Sequence, residues 1–195
     1  MLVVITDYQY DNIDAERRII GEAGFELRDY QVKETKEMIP LVKEADAIVT
    51  QYSDVSREVI GQLEHCKMII KYGIGVNNID VEAATRKGIY VCNVPDYGVE
   101  EVSDHTVAMM LALAKKLPVL TRALREGDWG YGSTVPLSRF CESTVGLVGF
   151  GRIPQLVAKK LKGFGVAIRV CDPYADENLG REYGAEPLEL EEILA

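Results

Sequence analysis

Residues 143–173, STVGLVGFGRIPQLVAKKLKGFGVAIRVCDP, constrain what this chain folds into more than any other stretch. Val145, Leu147 and Val148 make a short apolar strand that runs straight into Gly149, Phe150 and Gly151. From Ile153 the apolar residues change to helical spacing, at Leu156, Val157 and Leu161, and a second β-rich run over 166–170 ends at Asp172. Strand, glycine turn, helix, strand and acid, in that order, make a β-α-β unit suited to a dinucleotide. Gly149 permits the tight turn, Gly151 leaves room for a pyrophosphate against bare backbone, and the amides of Arg152 and Ile153 lie where a helix N-terminus attracts anions. Asp172 stands about 20 residues further on, where a carboxylate accepts hydrogen bonds from adenine ribose hydroxyls.

The third glycine of the GxGxxG pattern is replaced by Pro154. Proline costs little in the first turn of a helix, because its missing N–H has no partner inside the helix and its fixed φ suits that turn. The helix is therefore expected to survive, slightly shifted, with the phosphate cradle intact. Asp172 also repels the 2′-phosphate of NADP, and the nearest arginine after it is Arg181, so NAD is the expected cofactor.

A chain of 195 residues that is 47% hydrophobic buries a substantial core, as one large domain or two small ones. The net charge of -9, with no cluster of lysines and arginines, argues against a surface that tracks nucleic-acid phosphates. The apolar start Leu2, Val3, Val4, Ile5 is cut short by Thr6 and Asp7, and no run approaches the roughly 20 apolar residues of a membrane span. A cytoplasmic location is expected, with no membrane partner. Cys66, Cys92, Cys141 and Cys171 form no CxxC and lie in or beside predicted strands, which suits buried, reduced thiols. With only His65 and His105 present, no metal site is expected.

The first half repeats an α/β rhythm. Strands are predicted at 2–6, 25–30, 47–50, 68–71 and 89–92, and helices at 14–23, in a short stretch ending near Glu44 that Pro40 starts or interrupts, at 56–63 and at 81–87, with Ile19 and Ile20 of the first helix facing inward. Five strands alternating with helices imply a doubly wound parallel sheet. A turn-rich break at 93–98 follows, then one face of a long helix up to Pro118, marked by Val102, Thr106, Val107, Met110, Leu113, Ala114 and Leu117. This places a domain boundary near Gly98, giving domains 1–98 and 99–195. The glycine- and aromatic-rich segment 125–132 reads either as an exposed arm that packs on a partner or, for Trp129, as core.

The segments YGIGVNNID at 72–80, AATRKGIYVCNVP, EEVSDHTVAMMLALAKKL, GLVGFGRIP and CDPY stand in the order found in D-isomer-specific 2-hydroxyacid dehydrogenases. The chain resembles this family, which includes phosphoglycerate dehydrogenase and glyoxylate reductase, over nearly its whole length. The opening VITDYQYDNIDAERRII and Cys92-Asn-Val-Pro95 are also similar to the C-terminal binding protein branch, whose members include transcriptional corepressors with the dehydrogenase fold.

The resemblance implies two Rossmann-like, doubly wound parallel-sheet domains: a flavodoxin-like substrate domain, then an incomplete NAD-binding Rossmann domain. Gly73, Ile74, Gly75 and Val76 match the loop whose amides receive the substrate carboxylate, and Lys71 matches a position where several members carry a basic residue aimed at the same anion. A glycine turn at the carboxyl end of a parallel strand independently suits an anion, whereas Lys71 alone reads equally as a solvated strand end. Ile74 and Val102 match positions beside the cofactor, joining Gly149, Phe150, Gly151, Arg152, Ile153 and Asp172 in the cofactor set; by spacing alone Val102 belongs to a core face.

His105 matches no catalytic position. The family's arginine, histidine acid/base and orienting carboxylate fall beyond Ala195, so no catalytic residue is assigned within the chain, which reads as a fragment, inactive alone. The implied reaction is reversible NAD-dependent reduction of a small 2-oxo acid such as 3-phosphohydroxypyruvate or glyoxylate, in a homodimer. An NAD(H)-responsive, corepressor-like scaffold and a bare NAD-binding module are the alternatives.

Overall fold

A computed structural model describes residues 1–130, 132–175 and 182–194. Its contacts divide the chain into two compact units, Met1–Asp96 and Tyr97–Ala195.

The first unit is built on five parallel strands, β1 (Leu2–Ile5), β2 (Glu26–Asp29), β3 (Ala47–Thr50), β4 (Met68–Lys71) and β5 (Tyr90–Cys92), in the order β2-β1-β3-β4-β5. Val3 pairs with Leu27 of β2 and Ala47 of β3. The helices are α1 (Asp14–Glu22), α2 (Thr35–Val42), α3 (Arg57–Gln62) and α4 (Val81–Arg86). Successive strand side chains point to opposite faces. Val4, Ile48 and Ile69 therefore pack under α2, α3 and α4, with Met38, Val42, Val59, Ile60 and Ala84. Val3, Ile5 and Val49 pack on the other face with Ile13 and, from α1, Ile20. The chain steps one way from β1 to β2 and the other way through β3, β4 and β5, and right-handed crossovers then place α1 opposite the other three helices. Each fully buried Ile or Val here contributes about 1.5–3 kcal/mol.

The second unit comprises α5 (Val99–Ala114), α6 (Leu117–Arg125), β6 (Thr144–Val148), α7 (Arg152–Leu161), β7 (Ala167–Cys171), β8 (Ala185–Pro187) and α8 (Leu190–Leu194), with β6, β7 and β8 in one parallel sheet in that order. Val107 of α5 joins Leu147, Val157, Leu161, Ile168 and Val170 in its core. Lys160 of α7 ties down the first turns of α5, its Nζ donating to Glu100 Oε2 at 2.9 Å, Ser103 Oγ at 2.7 Å and Asp104 Oδ1 at 2.6 Å.

Several sequence expectations are corrected. Ile19 is 57% exposed while Ile20 packs inward, because a lone helix covering one face buries a narrow stripe and adjacent residues stand about 100° apart. The long helix to Pro118 is two helices, with Lys116 at φ 52 between them and Pro118 in the first turn of α6. Proline inside one continuous helix would clash with the preceding turn, whereas at a new start it is tolerated. Strand β8 was not foreseen, since the three residues Ala-Glu-Pro carry no period of their own. Cys92 and Cys141 are exposed and Cys66 and Cys171 half-buried, all with free thiols, so the expectation of buried thiols fails. Cys92 lies on an edge strand and Cys141 in a surface 3-10 turn, neither of which is covered. Trp129 is 86% exposed, which excludes the core reading; Tyr131 of the same segment lies outside the described residues.

Gly146 of β6 lets α8 lie close to the sheet: a Cβ there would sit 2.5 Å from Ile193 Cγ2. Gly146→Ala is expected to destabilise the second unit by about 1–3 kcal/mol through overpacking. Adding Ile193→Ala should recover much of the loss, and thermal unfolding of the single and double variants is the check.

Candidate functional site

In an open parallel sheet ligands bind beyond the carboxyl ends of the strands, where the strand order reverses. For the first unit that place is the crevice between β1 and β3, and the chain fills it with its own anion. Asp7, just past β1 and 4% exposed, accepts from the backbone amides of Gln51 at 2.9 Å and Tyr52 at 2.6 Å, and the hydroxyls of Thr6 and Thr50 lie 3.0 and 3.1 Å from its Oδ1. Burial opposes ionisation of Asp7, but the amides of Gln51 and Tyr52 outweigh it and hold the carboxyl below its ordinary value. Sequence reasoning missed this residue. The only hint was an acid directly after a buried strand.

One strand further along, the turn after β4 is held by its carbonyls. Gly73 O accepts from Val94 N at 3.0 Å, Ile74 O from Asn93 Nδ2 at 2.8 Å and Val76 O from Ile79 N at 2.9 Å. Among the described residues no acceptor takes the amides of Gly73, Ile74, Gly75 or Val76. Ile74 and Gly75 are exposed. The turn thus offers adjacent N–H groups at the sheet's carboxyl edge, an arrangement that receives a carboxylate.

Lys71 is not a solvated strand end. Its side chain is buried, with Nζ donating to Gln51 O and, at 3.0 Å, to Asn78 Oδ1, and lying 5.3 Å from the centre of the Tyr52 ring. Burial lowers its pKa while the negative charge of Asp7 acts in the opposite sense. Next to it Tyr72 donates to Glu16 Oε1 at 2.8 Å, and burial together with that carboxylate pushes the phenol up.

In the second unit Gly149, Phe150, Gly151, Arg152, Ile153 and Asp172 come together at the carboxyl ends of β6 and β7. Gly149 adopts φ 90, a conformation that disfavours a side chain. Phe150 is buried and meets Tyr183 edge to face at 5.5 Å, which anchors the turn to the core. The amides of Gly151 and Ile153 open the N-terminus of α7, and a Cβ at Gly151 would meet no atom within 4 Å. Pro154 sits in the first turn of an unbroken α7. Asp172 Oδ2 accepts from Phe150 N at 2.6 Å and Oδ1 from Tyr174 N at 2.8 Å, and these bonds, Tyr174 foremost, hold its carboxyl below the ordinary value. Each oxygen keeps a lone pair for a ribose hydroxyl. The cradle therefore fits a dinucleotide.

Val102 is 47% exposed on α5 and not part of a core face. His65 precedes β4, at the amino end of the sheet, a strand length from the turn after β4. His105 is exposed on α5. Arg181 lies outside the described residues. Among the described residues no group of His, Cys, Asp and Glu side chains is arranged to hold a metal ion.

Two parallel α/β units, each with a glycine turn beyond its strands, define a Rossmann-like class of fold. The pattern of the D-isomer specific 2-hydroxyacid dehydrogenase catalytic domain matches residues 3–185, and the chain belongs to that family. It is 36% identical over 185 residues to the D-3-phosphoglycerate dehydrogenase of Methanocaldococcus jannaschii, covering 94% of this chain and 34% of that protein. It is 37% identical over 157 residues to the glyoxylate reductase of Thermococcus litoralis, covering 75% of this chain and 47% of that protein. The chain thus spans about a third to a half of the length of these curated relatives. The D-lactate dehydrogenase of Aquifex aeolicus, solved with NAD and lactic acid, superposes with a TM-score of 0.86 at 26% identity, over 98% of this chain and 57% of that one.

The acid response of the first unit follows from Asp7. Its folded pKa is depressed, so its stabilisation is complete well above the ordinary value of 3.8 and is lost as pH falls through and below that value. Asp7→Asn is expected to destabilise the first unit at neutral pH by about 1.5–3 kcal/mol. The gap to the parent should close in acid, and denaturant titrations at a series of pH values test this.

Proposed function

We propose that the protein is an NAD-dependent oxidoreductase that reversibly reduces a 2-oxo acid, such as 3-phosphohydroxypyruvate or glyoxylate, to the D-2-hydroxy acid. Residues 1–98 serve as its substrate domain and 99–195 as the first half of its nucleotide domain. The observation that carries this reading is the turn at 73–76, whose carbonyls are tied down while its amides remain open for a carboxylate. The names of the relatives and the NAD and lactic acid bound to the D-lactate dehydrogenase support it.

The amides of Gly73, Ile74, Gly75 and Val76 hold the substrate carboxylate and so orient C2. The amides of Gly151 and Ile153 at the N-terminus of α7 receive the pyrophosphate, Asp172 receives the adenine ribose hydroxyls, and Ile74 and Val102 offer apolar surface to the cofactor. Bound there, the nicotinamide cofactor would supply the hydride for C2. Neither His65 nor His105 is assigned the proton transfer. The exposed apolar side chains of Leu113, Leu117, Leu124 and Trp129 support a homodimer, and four free thiols suit a reducing cytoplasm.

Turnover of a panel of 2-oxo acids by the whole protein, with NADH and NADPH compared, tests the proposal. NADH should be preferred, and Asp172→Ala should reduce that preference by about tenfold or more, since the carboxylate both binds ribose and repels a 2′-phosphate. NADH binding with no turnover of any 2-oxo acid would instead favour the corepressor-like scaffold.

A further inference from the structure

We propose that Lys71 is a positioning residue and not a substrate ligand: with Asp7 and Asn78 it locks the turns after β3 and β4 together, and so sets the amides of the 73–76 turn. This deepens the reading of that turn as a carboxylate site and rests on it.

The lock is built in two steps. Asp7 first takes the consecutive amides of Gln51 and Tyr52, so the turn after β3 is a small anion nest already filled by a side chain of the same unit. Two bridges then cross from that turn to the segment after β4. Lys71 Nζ spans from Gln51 O to Asn78 Oδ1, and Asn78 Nδ2 donates to Ser53 O at 2.7 Å. The backbone reinforces them, with Val55 N donating to Asn78 O at 2.8 Å and Asp80 N to Val55 O at 3.1 Å.

The ammonium has little left to offer a ligand. Two of its three N–H groups are committed to Gln51 O and Asn78 Oδ1, and the Tyr52 ring lies beside it. Its stem runs under the start of the turn, with Cε 3.3 Å from where a side chain at Gly73 would begin. To reach a substrate carboxylate, Lys71 would have to abandon a carbonyl in a buried network. Burial pushes the Lys71 ammonium's pKa down, and the nearby carboxylate of Asp7, seated on the amides of Gln51 and Tyr52, acts in the opposite sense.

The test is NMR on the isotope-labelled whole protein, titrated with oxamate as a small 2-oxo acid mimic. Oxamate should shift the amides of Gly73, Ile74, Gly75 and Val76 and leave the Lys71 Cε and Nζ resonances in place. Lys71→Met and Asn78→Ala should weaken oxamate alike, and both should speed exchange of the Val94, Ile79 and Val55 amides by about tenfold, since both open one lock. Lys71→Arg should restore part of the protection, and Asp7→Asn should move the Lys71 titration to lower pH. Asn78→Ala keeps the lysine and decides the matter should Lys71→Met fail to fold. The proposal is overturned if oxamate shifts the Lys71 resonances, or if Lys71→Met weakens oxamate while Asn78→Ala does not. It is equally overturned if neither variant alters exchange. If oxamate shifts no amide of the turn, the carboxylate reading fails, while the exchange comparison still decides whether Lys71 sets the turn.

Discussion

Every parallel strand delivers its chain to the same edge of the sheet, and the amides of the turns beyond that edge must find negative partners or remain open. In this protein the partition of those amides organises both units. After β3 they are taken by Asp7, after β4 they stay open, and after β6 they divide between Asp172 and the start of α7. A chain with a net charge of -9 thereby presents the positive ends of peptide dipoles at its strand ends without clustered lysines or arginines.

The two acids that fill turns are alike in construction and differ in what they leave over. Asp7 is buried and meets donors from two strand ends, so its capacity is spent on holding the first unit together. Asp172 uses one bond per oxygen, to Phe150 and Tyr174, and is half-exposed, so it can brace the glycine turn and still receive hydroxyl groups. Neither acid needs a basic partner to stay ionised: backbone N–H groups favour the charged form directly.

Much of this was legible in the residues. The glycines at 149 and 151, the acid at 172 and the β-branched runs of the first unit have local causes, namely turn geometry, helix-terminal amides and period-2 or helical spacing, and these survive in the structure. The roles of Lys71 and Asp7 had no such local cause. Lys71 is 20 residues from Gln51 and Asp7 is 44 from it, and only the pairing of β1, β3 and β4 brings them together.

The amino-acid sequence by itself determined the alternation of elements and the glycine turns, because each depends on neighbours within a few residues, and the parallel character of both sheets follows from that alternation. The tertiary structure alone decided which side of α1 is buried, where the helix breaks before Pro118, that β8 adds a third strand, and that Lys71 is turned inward. The physical reason is common to all four. Burial and hydrogen-bond satisfaction are properties of groups far apart in the chain, and an ammonium at a strand end is solvated or enclosed according to what the adjacent strands place beside it.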